Sequence, residues 1–197
     1  MALASLVALV TSAPGADTGG GVTSPASASW GATQLMQTLA SVKSSQARFV
    51  ERKYMAILTA PLESSGTLVY EAPSRLEKRT LKPRAEGMLL DHDRLVIDGS
   101  DGSHKVLGLQ EYPVVWAFIE SMRSTLAGDL ATLERFYRVR VEGRAERWTL
   151  VLAPREERMR SSITEIRVLG ATSKIASIEI YESGGDHSVM SITESRP

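Results

Sequence analysis

The side chains whose types could carry catalysis are three histidines, a serine next to one of them, and a scatter of carboxylates. His92, His104 and His187 sit in loop-like stretches, and none is followed by a ligand at the i+3 or i+4 spacing that places two donors on one helix face. Asp91-His92-Asp93 is a carboxylate–imidazole cluster in composition, but it separates two apolar segments where a hairpin must turn, so its residue types serve the turn. Ser188 adjoins His187 only along the chain, with no strand–turn–helix nucleophile elbow around it. There is no phosphate loop and no dinucleotide fingerprint. The absence of cysteine excludes thiol nucleophiles, iron–sulfur clusters, cysteine zinc sites and disulfides. With 23 Lys and Arg against 23 Asp and Glu, the net charge of zero gives no surplus of cations for displacing phosphate counterions, so a nucleic-acid partner is not expected. No catalytic residue, metal or cofactor is expected, which leaves a binding protein.

The elements that would form a binding site begin after an export-like end. Residues 2–10 are an apolar run followed by small and turn-forming residues, the pattern of a secretory signal peptide over residues 1–16, although no Lys or Arg precedes it. Residues 17–29 have the small, polar composition of a flexible linker. One folded domain is expected over residues 30–197.

A helix is expected over Thr33–Val42, with Leu35, Met36, Leu39 and Val42 as its apolar stripe and Thr33 as its N-cap. Six short strands follow, at Ala47–Leu58, Gly66–Glu71, Arg75–Leu81, Glu86–Leu90, Arg94–Asp98 and Lys105–Leu109. Their connections are too short for crossover helices, so they pair as an antiparallel meander. Pro113 opens a helix carrying Val114, Val115, Phe118, Ile119, Met122 and Leu126, and Gly128 ends it. Asp129 caps a second, shorter helix. Five further strands are expected at Arg138–Glu142, Arg147–Leu152, Ser162–Leu169, Lys174–Glu182 and His187–Glu194. Arg155–Arg160 is charged at every position but Met159 and reads as a solvated face. The fold class is α+β: a large curved antiparallel sheet with about three helices. So few helices cannot cover one flat sheet of that size, and an apolar face curving round them leaves a hydrophobic cavity.

The order of these elements and several local motifs resemble the LolA-like outer-membrane lipoprotein carriers. The matching pieces are the opening helix with Leu35 and Leu39, the run Ser44-Ser45-Gln46-Ala47-Arg48-Phe49 into the first strand, the stretch from Ser65 to Leu76 with its Gly-x-Leu and Ala72-Pro73 break, and the hairpin Leu89–Leu95. The resemblance implies an open half-barrel with a helical lid over a hydrophobic cavity, and a periplasmic carrier that shields the acyl or other apolar tail of a lipidated cargo on its way to the outer membrane. It implies transient contact with an inner-membrane donor and an outer-membrane acceptor, and a monomer is expected. Alternatives are an accessory role in an outer-membrane lipid or aryl-polyene pathway and an envelope lipid- or lipoprotein-sensing module. The expected cavity residues are Leu35, Leu39, Leu68, Tyr70, Leu76, Met88 and Leu90, with Val115, Phe118, Ile119 and Met122 on the lid. Lys78 shares the inward phase of its strand. Where the family carries a lid arginine before the strand-break proline, this chain has Ala72. The lack of cysteine also separates it from the lipid-anchored acceptor.

Overall fold

A computed structural model describes residues 30–194. The expected signal peptide and linker lie outside the described residues. Among those described, eleven antiparallel strands form one sheet that does not close, and four α-helices accompany it. The first meander contains β1 (Ser44–Tyr54), β2 (Leu62–Glu71), β3 (Arg75–Lys82), β4 (Glu86–Asp91), β5 (Arg94–Asp98) and β6 (His104–Gly108). The second contains β7 (Tyr137–Arg144), β8 (Arg147–Pro154), β9 (Ile163–Ala171), β10 (Lys174–Glu182) and β11 (His187–Glu194). The strand order β6-β5-β4-β3-β2-β1-β11-β10-β9-β8-β7 joins the two meanders through β1 and β11, where Ala47 faces Glu194 and Tyr54 faces His187. Strands β6 and β7 are the free edges.

The chain between those edges supplies the cover. After a 3-10 turn at Leu109–Glu111 come α2 (Pro113–Ala127) and α3 (Leu130–Phe136), which lead from one edge of the sheet to the other. Pro113 occupies the first turn of α2, where its missing N–H costs no hydrogen bond. Gly128 ends the helix in the left-handed region at φ 71°. A Cβ there would also lie 2.2 Å from the Met36 carbonyl oxygen of α1 (Ala32–Ala40), so glycine is required both by conformation and by the close approach of the two helices. Asp129 caps α3, its Oδ1 accepting from the Thr132 N–H at 3.0 Å.

Two helical details correct the sequence reading. Gly31, in an extended conformation, is the N-cap of α1, and Thr33 lies inside the helix with no capping bond. The charged stretch after β8 holds a fourth helix, α4 (Glu157–Arg160), because Met159 turns inward and is buried. It anchors a segment that is otherwise as polar as a loop.

The packed core sits between α1, α3 and the second meander. Leu35, Met36 and Leu39 of α1 and Leu133 of α3 pack with Tyr137, Trp148, Leu150, Leu152, Ile166, Val168 and Ile180. Burial of each such aliphatic side chain contributes about 1.5–3 kcal/mol. The Trp148 ring lies over Gly170, where a Cβ would come within 2.4 Å of it, and its Nε1 donates to the Thr172 carbonyl at 2.9 Å.

Candidate functional site

The two-residue periodicity of a strand and the pairing register fix which side chains share the face under the helices. One row runs directly across five strands: Tyr70 faces Leu76, Leu76 faces Leu90, Leu90 faces Leu95 and Leu95 faces Leu107. The adjacent row is Ala47, Leu68, Lys78, Met88 and Ile97. Ile119 of α2 buries against Leu90, Leu95 and Leu109, with Leu76, Ile97, Trp116 and Phe118 packed around them. This is a second apolar cluster, separate from the main core. Phe118 packs against both, so α2 bridges the two halves of the sheet.

The expected lining residues therefore fall into three environments. Leu35 and Leu39 are fully buried in the main core, with Met122 at its margin. Leu76, Leu90, Phe118 and Ile119 meet in the second cluster, and Tyr70 is buried in the same row. Leu68 is half-buried, and Met88 is 36 % exposed although it shares the inner face. The side chain of Val115 lies outside the described ones.

Between the two apolar halves the same face is polar. On β1 the inner phase is Ala47, Phe49, Glu51 and Lys53, all buried. The Lys78 ammonium reaches Glu51 Oε2 at 2.6 Å and lies 4.9 Å from the Phe49 ring centroid. Lys53 bonds Glu182 Oε1 at 2.9 Å, and burial raises the Glu182 carboxyl above the usual carboxylate range. Ser188, directly opposite Lys53, is buried with no hydrogen-bond partner for its Oγ. The Tyr70 hydroxyl is likewise buried without a partner, and its pKa is raised by burial. Of this strip the sequence places only Tyr70 and Lys78 on the inner face. The alternation of Phe49, Glu51 and Lys53 at every second position was the signal for the rest.

The histidines are dispersed. His92 stands in the left-handed region at φ 52° in the β4–β5 turn and bonds Asp91, and His104 bonds Asp98 across β5 and β6. His187 stacks on Tyr54 with ring centroids 4.5 Å apart, with Tyr181 5.9 Å away on its other partner strand. Its neighbour Ser188 points to the opposite face, as successive strand residues do. The two cannot form a nucleophile–base pair. Among the described residues no group of three or more His, Asp or Glu side chains is placed to hold a metal ion, and no helix is long and apolar enough to cross a membrane.

The inner surface of α2 is unusual for a helix packed on a core. Glu120, Ser121, Ser124 and Thr125 are all buried. Their polar atoms are satisfied largely within the helix: Ser121 Oγ donates to the Phe118 carbonyl at 2.6 Å, Thr125 Oγ1 to the Ser121 carbonyl at 2.7 Å, and Glu120 pairs with Arg123. Displacing α2 as a unit would leave these bonds intact. What holds it down is apolar contact, together with the Tyr137 hydroxyl, which makes a long 3.4 Å bond to the Ala117 carbonyl and also meets the Ser121 side chain.

Comparison with known proteins adds one assignment. The family model described as outer membrane lipoprotein carrier protein LolA-like matches residues 24–193. No match was found among curated proteins. Among solved structures, a LolA superfamily protein from Nitrosomonas europaea is 11% identical, with 86% of this chain and 95% of that one covered and a TM-score of 0.47. A DUF1329 family protein from Desulfovibrio piger is 8% identical, with coverage of 82% and 90% and a TM-score of 0.46. MucB in complex with MucA(peri) is 14% identical, with coverage of 84% and 56% and a TM-score of 0.42.

Proposed function

Since this chain belongs to the LolA-like family of outer membrane lipoprotein carrier proteins, we propose that the face beneath α2 takes up the acyl or other apolar tail of a lipidated cargo and carries it through the periplasm toward the outer membrane. The observation that supports this most directly is the construction of α2. It covers an apolar row on β3–β6 and carries most of its side-chain hydrogen bonds internally, so it can separate from the sheet at the cost mainly of apolar contacts that an acyl chain would restore. Each methylene buried in place of those contacts contributes about 0.8 kcal/mol, before ordering costs. Tyr70, Leu76, Leu90 and Ile119 would contact the chain first, with Leu68, Met88, Phe118 and Met122 extending the surface, and Leu35 and Leu39 behind them.

In this reading the protein is a binding module and not an enzyme. A donor in the inner membrane and an acceptor in the outer membrane would be transient partners, and residues 1–16 would direct export. The test is native mass spectrometry of the protein purified from its own cell envelope, with uptake of a fluorescent acyl probe measured in parallel. Co-purified lipid and saturable probe uptake support the carrier. Absence of both would sink it.

A further inference from the structure

One cross-strand row on the inner face changes character along its length. The register aligns Ser45 on β1 with Tyr70 on β2, and Tyr70 in turn with Leu76, Leu90, Leu95 and Leu107 on β3 to β6. Two hydroxyl-bearing residues are thus followed by four leucines. Four strand spacings separate Tyr70 from Leu107, a span of about 19 Å along the sheet and the scale of a long unbranched hydrocarbon chain. At the leucine end α2 lies over the row, with Ile119 in one cluster with Leu90 and Leu95 and with Leu76 and Leu107 packed against it.

Tyr70 is the anomaly of this row. It is 4 % exposed, its hydroxyl is buried, and no group bonds that hydroxyl. A donor taken out of water without a partner loses its hydration and gains nothing in exchange, which is why buried hydroxyls are nearly always bonded. Phenylalanine would fill the same space without that penalty, so the closed fold gains nothing from the oxygen. Charge limits the acceptor that could satisfy it. Lys78, the inner-face cation of the adjacent row, is drawn to Glu51 on the side away from Tyr70. Lys43, two residues before Ser45, turns back to the Ala40 carbonyl at the end of α1. With both cations engaged, a carboxylate buried beside Tyr70 would lack a counter-charge, whereas a neutral carbonyl oxygen needs only the one hydrogen bond. Burial raises the pKa of the phenol and so keeps it a donor.

We propose that the Tyr70 hydroxyl donates to the carbonyl oxygen of an ester- or amide-linked acyl chain whose hydrocarbon lies across Leu76, Leu90, Leu95 and Leu107. This rests on the carrier reading and narrows its cargo, favouring a tail with a neutral carbonyl at its head over an ether-linked or free-acid tail. The test is the affinity of the purified full chain for four fluorescent probes of equal chain length: a methyl ester, an N-methyl amide, an alkyl ether and the free acid. The ester, the amide or both should bind about tenfold more tightly than the ether, and whichever does so identifies the linkage. Tyr70→Phe should bring that probe down to the affinity of the ether, leave the ether unchanged, and leave the thermal midpoint equal or higher, where a purely structural hydroxyl would lower it. Leu107→Asp, at the far end of the row, should weaken a long-chain probe and spare one half as long. Equal affinity for carbonyl and ether probes, a preference that survives Tyr70→Phe, or free acid bound as tightly as ester would overturn the assignment and leave the carrier reading standing. Failure of every probe to bind would overturn both.

Discussion

Lys78 on β3 reaches past β2 to Glu51 on β1, its ammonium 2.6 Å from the carboxylate, and Gly66 is the β2 residue in the register between their rows. An ion pair spanning a whole strand joins the apolar half of the first meander to the centre of the sheet. Glu51 is 8 % exposed, so removing its partner leaves a carboxylate poorly reached by water. Lys78→Met should destabilise the protein by about 2–4 kcal/mol, and adding Glu51→Gln should restore much of the loss. Urea unfolding of the two single variants and the double variant measures this coupling. Simple additivity would show that the pair is no more than a surface contact.

The α2 cover can be locked, and the absence of native cysteine makes the experiment clean. Ile119 of α2 and Leu90 of β4 share one buried cluster. A disulfide between Ile119→Cys and Leu90→Cys should suppress acyl-probe uptake when oxidised and release it on reduction. Uptake by the oxidised form at the unsubstituted rate would place the binding surface elsewhere.

Alkaline pH should unfold this protein through its tyrosines. Burial, followed by the hydrogen bond to Glu179, pushes the Tyr181 hydroxyl up to about 12, and burial also raises Tyr137 and Tyr70. An unfolded tyrosine ionises near pH ~10. The folded state therefore holds these protons longer, so its stability is full below about pH 10 and falls as pH rises toward the folded value. Urea midpoints across this range should decline, and Tyr181→Phe should reduce the slope. Tyrosinate absorbance should show late-ionising groups in the folded protein that titrate normally in denaturant.

Ser188 offers a direct check on catalysis. Its Oγ is buried without a hydrogen-bond partner, and His187 faces the other side of the sheet. Ser188→Ala removes an unsatisfied hydroxyl and should leave stability unchanged or raise it by up to about 1 kcal/mol. It should not alter background turnover of an ester substrate. Turnover abolished by this one substitution would instead make the protein a hydrolase with Ser188 as its nucleophile.

The strand ladder was legible where alternation and turn residues coincide. The sequence places β5, β10 and β11 at the boundaries the structure shows, and the left-handed His92 closes the turn expected between β4 and β5. It carried β1 through Met55–Leu58 because that run is apolar. The chain turns there instead, held by Asp186, a contact across 130 residues that no local pattern encodes. It began β2 at Gly66, whereas pairing with β1 starts at Leu62 through polar Glu63, Ser64 and Ser65. The candidate site was less legible for the same reason. Charge buried on Glu51 and Lys53, and half-buried on Glu182, is tolerated only through partners on other strands, and a single strand read alone makes such residues look solvent-facing.

Nine of the ten strand pairings join neighbours in sequence, and the tenth, between β1 and β11, ties residue 47 to residue 194. Each meander can thus assemble from local hairpins at little loop-closure cost, while the β1–β11 seam must wait for both. The topology predicts folding by the docking of two wings that form first. The seam is also where Lys53, Glu51 and Ser188 lie, so the last contacts to form are those least able to hold a misdocked state: a charge facing the wrong partner there would expel the intruding wing before apolar packing could trap it.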